Sequence, residues 1–269
     1  MQKMTGTPQI TIAQITDIHL FDDSGLTLKG IDTNSSFQAV LAAIANLEQQ
    51  PDLLLVTGDL TQDGLNHSYQ RLHHELSHLS IPAYCIPGNH DSAELVQNFL
   101  ADMAAIDRRL VLGNWQILLL NSAVPGQVHG HLADATLQWL ECQLEANPDL
   151  NTLIALHHPA LAIDSEWMDM ISLQNRDQFW QICDRYPQIK AVIAGHAHQD
   201  IDAFWQGKGS QQIRHLVTPS TCVQFAPQKN CFALDYERSP GFRLLYLYGD
   251  GRVETEVKRL PQGKFVPTR

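Results

Sequence analysis

The chain has 269 residues, 44% of them hydrophobic, which is enough to bury a sizeable core and to form one large domain spanning 1–269. Lys and Arg number 18 against 29 Asp and Glu, a net charge of −11, which excludes broad binding along a nucleic acid polymer but leaves small anions open where local cations outweigh the global field. The five cysteines form no CxxC, which excludes a disulfide framework and a cysteine zinc site and fits a reducing, cytoplasmic setting.

The opening "MQKMTGTPQI" lacks the apolar stretch of a signal peptide, and no later run reaches the ~18 apolar residues of a membrane span. "QITIAQIT" (Gln9 to Thr16) alternates as a strand and runs into Asp17 and His19. "SSFQAVLAAIANLEQQ" has helical spacing, with Ser35 as the expected N-cap. "DLLLVTGD" (Asp52 to Asp59) is a short continuous apolar run, as in a strand buried on both faces. "NHSYQRLHHELSHL" reads as helix, with His67, His73, His74 and His78 as solvated surface residues. "AYCI" (Ala83 to Ile86) is a strand that ends at Pro87-Gly88 and delivers Asn89, His90 and Asp91. "DSAE" after it matches a helix-capping box, so Asp91 reads as a cap or a partner of His90.

"WQILLLNS" is a strand, the loop "GQVHGHLAD" carries His129 and His131, and Asp134 starts the next helix. "NTLIALHHP" is a strand ending in His157 and His158, "LQNRDQFWQICDRY" a helix stopped before Pro187, and "KAVIAGHAH" a strand ending in His196 and His198. Strands alone follow from Arg214: "RHLVTPS", "CFALDYE", "GFRLLYLY" and "RVETEVKRL", with a hairpin at "GDG". The tail "PQGKFVPTR" reads as a loose end. Strand–helix alternation followed by a run of strands predicts two packed sheets flanked by helices.

Five strand ends thus carry metal-ligating groups. In α/β sheets such ends gather at one place. Asp17 and His19, like His196 and His198, are two residues apart, which on extended backbone sends both side chains to one side. Imidazoles, carboxylates and one amide, with no thiolate, suit Zn, Mn or Fe. Seven donors are too many for one tetrahedral ion and suit two ions sharing a carboxylate, an arrangement that clamps both oxygens of an in-line phosphoryl displacement.

The ordered set "DIH", "GD", "GNHD", a strand-end "HH" and "GHAH" resembles the calcineurin-like metallophosphoesterases. "QITDIHLF", "TGDLTQDG", "PGNHD" and "TPSTCVQF" (Thr218 to Phe225) are similar to bacterial class III 3′,5′-cyclic AMP phosphodiesterases, over roughly Ile10 to Leu260. The resemblance implies an α/β fold, a four-layer αββα sandwich, with two divalent metal ions. It places Asp17, His19 and His198 on the first ion, Asn89, His157 and His196 on the second, and Asp59 between them. His158 stays an alternative to His157. His90 stays off the metals as the catalytic proton donor, and His19, Asp59, Asn89, His90 and His198 border the substrate phosphate. The implied reaction is hydrolysis of 3′,5′-cyclic AMP to 5′-AMP by a hydroxide shared between the metals. Glycerophosphodiesters, nucleotide–lipid pyrophosphates and 2′,3′-cyclic nucleotides are alternative substrates, and an inactive metal-bound scaffold is a third reading. A homodimer is known among relatives, though no apolar interface is readable here. "TPSTCVQF" is either a wall of the nucleotide pocket or a turn between strands. Lys29, in the long loop from Leu20 to Ser36, is either a phosphate contact or solvated. His215 has no evident partner. Pro159-Ala160 stands where many relatives have two prolines.

Overall fold

The structure, a computed structural model, describes residues 9–207 and 212–268. The opening stretch through Pro8, read above as lacking a signal peptide, lies outside the described residues. The first half runs β1 (Ile10–Ile15), β2 (Thr27–Leu28), β3 (Ile31–Asp32), α1 (Thr33–Ala45), β4 (Leu53–Thr57), α2 (Asn66–Ser77), β5 (Ala83–Ile86), α3 (Ala93–Phe99), β6 (Arg108–Leu112) and β7 (Trp115–Leu119). The second half runs α4 (Asp134–Ala146), β8 (Asn151–Ala155), α5 (Glu166–Asp169), α6 (Arg176–Cys183), β9 (Ile189–Ala194), β10 (Ile201–Gln206), β11 (Gln212–Val217), β12 (Gly241–Leu247) and β13 (Val253–Arg259).

One sheet has the order β13-β12-β1-β4-β5 and the other β10-β11-β9-β8-β7-β6. Alternate residues of each inner strand go to different layers. Ala13, Ile15, Leu54 and Val56 pack with Phe37, Val40, Leu72 and Leu76 of α1 and α2. Ile12, Leu53 and Leu55 meet Ile117, Leu153 and Ile193 of the second sheet. That sheet's other face, with Leu118, Ile154 and Val192, is covered by Leu140 of α4 and by Phe179 and Trp180 of α6. Strands covered on both faces need no polar alternation, hence "LLLV". The result is the αββα sandwich, and among the described residues no helix is long and apolar enough to cross a membrane.

Several local expectations change. Asp32, not Ser35, caps α1, accepting from the Ser35 N–H at 2.9 Å. Ala133 occupies the N-cap position of α4, with Asp134 in the first turn. "CFALDYE" is no strand; only the bridge Phe225–Leu234 remains of it. The tail is anchored, with Phe265 buried in the first core and the Thr268 N–H donating to the Lys29 carbonyl at 2.8 Å. The long loop after His19 contains the hairpin β2–β3, whose two-residue tip, Lys29-Gly30, has φ of 51° and 85°. Two positive φ values are what the right-handed twist of flanking strands asks of such a tip.

Candidate dinuclear metal centre

Strands β1, β4 and β5 run parallel, as do β8 and β9, so their carboxyl ends point the same way in two facing sheets. Asp17, His19, Asp59, Asn89 and His90 follow the first three. His157, His196 and His198 follow the other two. The structure brings all eight to one rim. Asp17 Oδ1 stands 3.3 Å from His198 Nε2, and Asp59 reaches His157 Nε2 at 3.4 Å through Oδ1 and His19 Nε2 at 3.8 Å through Oδ2. Asn89 Oδ1 lies 3.2 Å from His157 Nε2.

Convergence is achieved differently from the expectation. Asp17, His19, Asp59, His196 and His198 are all left-handed, with φ of 53°, 54°, 48°, 65° and 50°. The i, i+2 pairs therefore meet through tight turns past the strands, and extended alternation has no part in it. A non-glycine residue there costs on the order of 1–3 kcal/mol, and such strain gathers at functional sites. The backbone is held by ladders between the loops: Asp17 N–H donates to the Gly58 carbonyl, Ile18 and His19 N–H to that of Asp59, and His196 N–H to the Asp17 carboxylate. Gly88 is required by contact. A Cβ there would lie 2.2 Å from both the backbone nitrogen and Oδ1 of Asp59, and 2.9 Å from His157 Nε2.

Two rings are oriented by backbone carbonyls. His157 Nδ1 lies 2.8 Å from the Thr57 oxygen and His198 Nδ1 2.8 Å from that of Val223. A carbonyl only accepts, so each Nδ1 carries a proton, and each ring in its neutral form offers the Nε2 lone pair to the cluster. The electrostatics are strained without a cation. Burial pushes His19 down to about 3, and burial with the His157 ring holds His196 well below the ordinary range. Burial opposes ionised Asp17 and Asp59, but the neighbouring imidazoles, His198 and His157 respectively, override it and keep both carboxyls low. Burial also opposes a charged His157, and Asp59 overrides it, raising the ring to about 9. His196 Nε2 and His19 Nδ1 are buried without a hydrogen-bond partner. An orphaned imidazole nitrogen beside carboxylates fits a bound cation, as does the donor set of imidazole, carboxylate and amide.

His158 lies close enough to His157 and His196 to join a metal cluster, but both of its nitrogens are occupied, by Ser122 Oγ at 2.9 Å and the Val128 carbonyl at 3.1 Å. His90 is half-buried at the rim, its Nδ1 3.2 Å from the Gln62 carbonyl. Asp91 caps nothing; Ser92 caps α3. The Asp91 carboxylate instead accepts from Leu60, Thr61 and Gly88 N–H groups, tying the loops after β4 and β5 together.

Besides the cluster, Lys29, Trp167, Val223, Phe225 and Phe232 line the cavity. "TPSTCVQF" thus supplies wall residues, while His129 and His131 do not line this cavity. Trp167 and Phe232 went unnoticed in the sequence because neither sits in a motif. His215 is buried, with Nε2 accepting from the Ala160 N–H at 3.0 Å. His74 and His78 pack on each other at 4.4 Å on the outer helix α2.

The calcineurin-like phosphoesterase family model matches residues 10–200. The chain is 44% identical to the 3′,5′-cyclic-nucleotide phosphodiesterase alr5338 of Nostoc sp., over 94% of this chain and 93% of that one. It is 40% identical to the 3′,5′-cyclic adenosine monophosphate phosphodiesterase CpdA of Vibrio vulnificus, over 96% and 93%. The fold is shared with the crystal structure of a dimetal phosphatase from Danio rerio, at a TM-score of 0.67 and 17% identity, over 94% and 96% of the two chains. Family model, relatives and fold agree with the site, and the chain belongs to the calcineurin-like phosphoesterases, hydrolases that use two divalent metals.

Proposed function

We propose that the protein hydrolyses 3′,5′-cyclic AMP to 5′-AMP. In this reading Asp17, His19 and His198 would hold one divalent ion, Asn89, His157 and His196 the other, and Asp59 would contribute to both. The two ions, when bound, supply Lewis-acid stabilisation of the phosphate oxygens and activation of water. The chain's own residues do the rest. The Thr57 and Val223 carbonyls aim the His157 and His198 lone pairs. His90 Nδ1 lies 3.2 Å from the Gln62 carbonyl and 3.3 Å from its side-chain amide, which leaves Nε2 for the substrate, where the ring can pass a proton to the leaving 3′ oxygen. The observation that carries this reading is the shared cavity: His90, the metal-ligating cluster and three aromatic rings line one space, which offers groups for a diester phosphate and for a planar base together.

The experiment is metal analysis and cyclic AMP turnover on one preparation, with products separated by chromatography. Turnover to 5′-AMP supports the reading. Mainly 3′-AMP reverses the assigned pose, and full metal occupancy with no turnover sinks the activity. Because the cluster itself addresses only phosphate, glycerophosphodiesters and nucleotide–lipid pyrophosphates belong in the same panel. The protein acts in this reading as a single cytoplasmic domain, without a nucleic acid polymer as partner; light scattering tells a monomer from the homodimer that the family resemblance allows.

A further inference from the structure

We infer that Phe232, Phe225 and Trp167, with Lys29 above them, form a stacking box for the base of a nucleotide, and that this box sets the preference for nucleotides over base-free phosphodiesters at the proposed active site. The inference rests on the phosphodiesterase reading for what the neighbouring cluster does, and on separate residues for its own content. Three segments distant in sequence bring the box together. Lys29 stands at the left-handed tip of the β2–β3 hairpin, Trp167 on α5, and the two phenylalanines at the ends of a loop closed by the Ala226 N–H to Ala233 carbonyl bond at 2.9 Å.

The rings are arranged edge to face. Trp167 meets Phe225 at 5.4 Å and Phe232 at 5.5 Å, and the phenylalanines meet at 5.2 Å. Phe225 spends one face on His198, stacked at 4.1 Å with 9° between the planes, which ties the box to the metal cluster. Phe232 is different. It is 47% exposed although large and apolar, and Lys29 Nζ lies 5.4 Å from its ring centre. Phe232 also lines the cavity shared with the metal cluster, so part of that exposed ring faces the space a ligand would fill. The phosphate end of the cavity is already assigned by the cluster, so a flat partner for the ring belongs to the same substrate. A nucleobase provides a π-face for Phe232 and ring-nitrogen acceptors for the Lys29 ammonium, which has donors only. A glycerol or other aliphatic alcohol provides no such face.

The test compares 5′-AMP with ribose 5-phosphate by titration calorimetry on manganese-loaded protein. The two share the phosphate and the ribose and differ by the base, so the readout does not depend on turnover. The wild type is expected to bind 5′-AMP tighter by about 5- to 150-fold, the range of one base–aromatic stack. Phe232→Ala is expected to bring the two ligands within about threefold, Lys29→Ala to narrow the gap partly, and Phe232→Trp to restore it. Elemental analysis of Phe232→Ala, with a metal content equal to that of the wild type, shows an intact metal site. Equal affinities in the wild type overturn the box, and so does a preference for 5′-AMP that survives both alanine variants. A clear preference for 5′-AMP in a protein that does not cleave cyclic AMP sinks the substrate reading instead and leaves the box standing.

Discussion

The Nε2 atoms of His19 and His198 face each other 3.2 Å apart, although 179 residues separate them in the chain. The neutral His198 ring carries its proton on Nδ1 for the Val223 carbonyl, so in that form its Nε2 only accepts. If His19 donates from Nε2, its buried Nδ1 is left as an acceptor without a donor. If it does not, two lone pairs oppose each other. Either arrangement is poor alone, and a shared cation removes the conflict.

Asp59 links this pair to His157, through Oδ2 on one side and Oδ1 on the other. Asp59→Ala is therefore expected to lose both metals, and Asp17→Ala chiefly one. Elemental analysis of the purified variants checks it. Two equivalents retained in Asp59→Ala, with none in Asp17→Ala, would falsify the shared role of Asp59.

His90→Ala is expected to keep both metals and lose turnover by about 10²- to 10⁴-fold, the usual range for a general acid. The loss shrinks for a p-nitrophenyl diester, whose leaving group departs without a proton. Comparing kcat/KM on good and poor leaving groups decides the matter. Equal losses on both assign His90 to phosphate binding.

Gly88→Ala is expected to cost about 1–3 kcal/mol as an overpacking change and to weaken metal retention, since the new methyl lands on Asp59 and beside His157. Gly25→Ala, where among the described residues a Cβ meets Asp23 Oδ1 at 3.3 Å and nothing nearer beyond its chain neighbours, is the control. Chelator titration followed by denaturant unfolding gives both quantities. Identical behaviour of the two variants contradicts the close approach.

His215 gives a pH-dependent stability. Burial pushes its pKa down to about 3, so the folded protein keeps the ring neutral while the unfolded chain takes up a proton below about 6.5. The unfolded state then binds more protons, and stability falls as pH drops from 6.5 toward 3. Between pH 6.5 and 4.5 the loss from this one group is about 2 kcal/mol. His215→Gln keeps an acceptor for the Ala160 N–H and has nothing to titrate. Its Tm, measured in chelated protein, should fall less steeply over that interval. Parallel curves for variant and wild type would show that the ring does not titrate as described.

The chemistry was more legible in the sequence than its support. Strand ends announce themselves, because an apolar run such as "LLLV" has no reason to stop at Gly58-Asp59 unless the polar group is wanted there. The edge strands β6 and β10 did not announce themselves. The residues of β10 alternate between partly buried and exposed, β6 has a single buried residue, Leu110, and neither carries the continuous apolar run of the strands inside. The left-handed turns at Asp17, His19, Asp59, His196 and His198 were equally invisible, since propensity argues against each one and the tertiary ladder imposes them. The aromatic wall depends on contacts among three remote segments, and "CFALDYE" misled because Phe232 looks like a strand residue when it is a pocket residue.

The bond from Thr268 to the Lys29 carbonyl joins the last described residue of the chain to the hairpin that overhangs the cavity mouth. Phe265, seated in the first core, fixes the stretch between them. The segment from Phe265 to Thr268 thus braces a hairpin whose Leu28 and Lys29 line the cavity. A substitution in that segment, remote from the metal cluster, reaches ligand affinity through the hairpin, so the segment belongs among the variables of any affinity comparison.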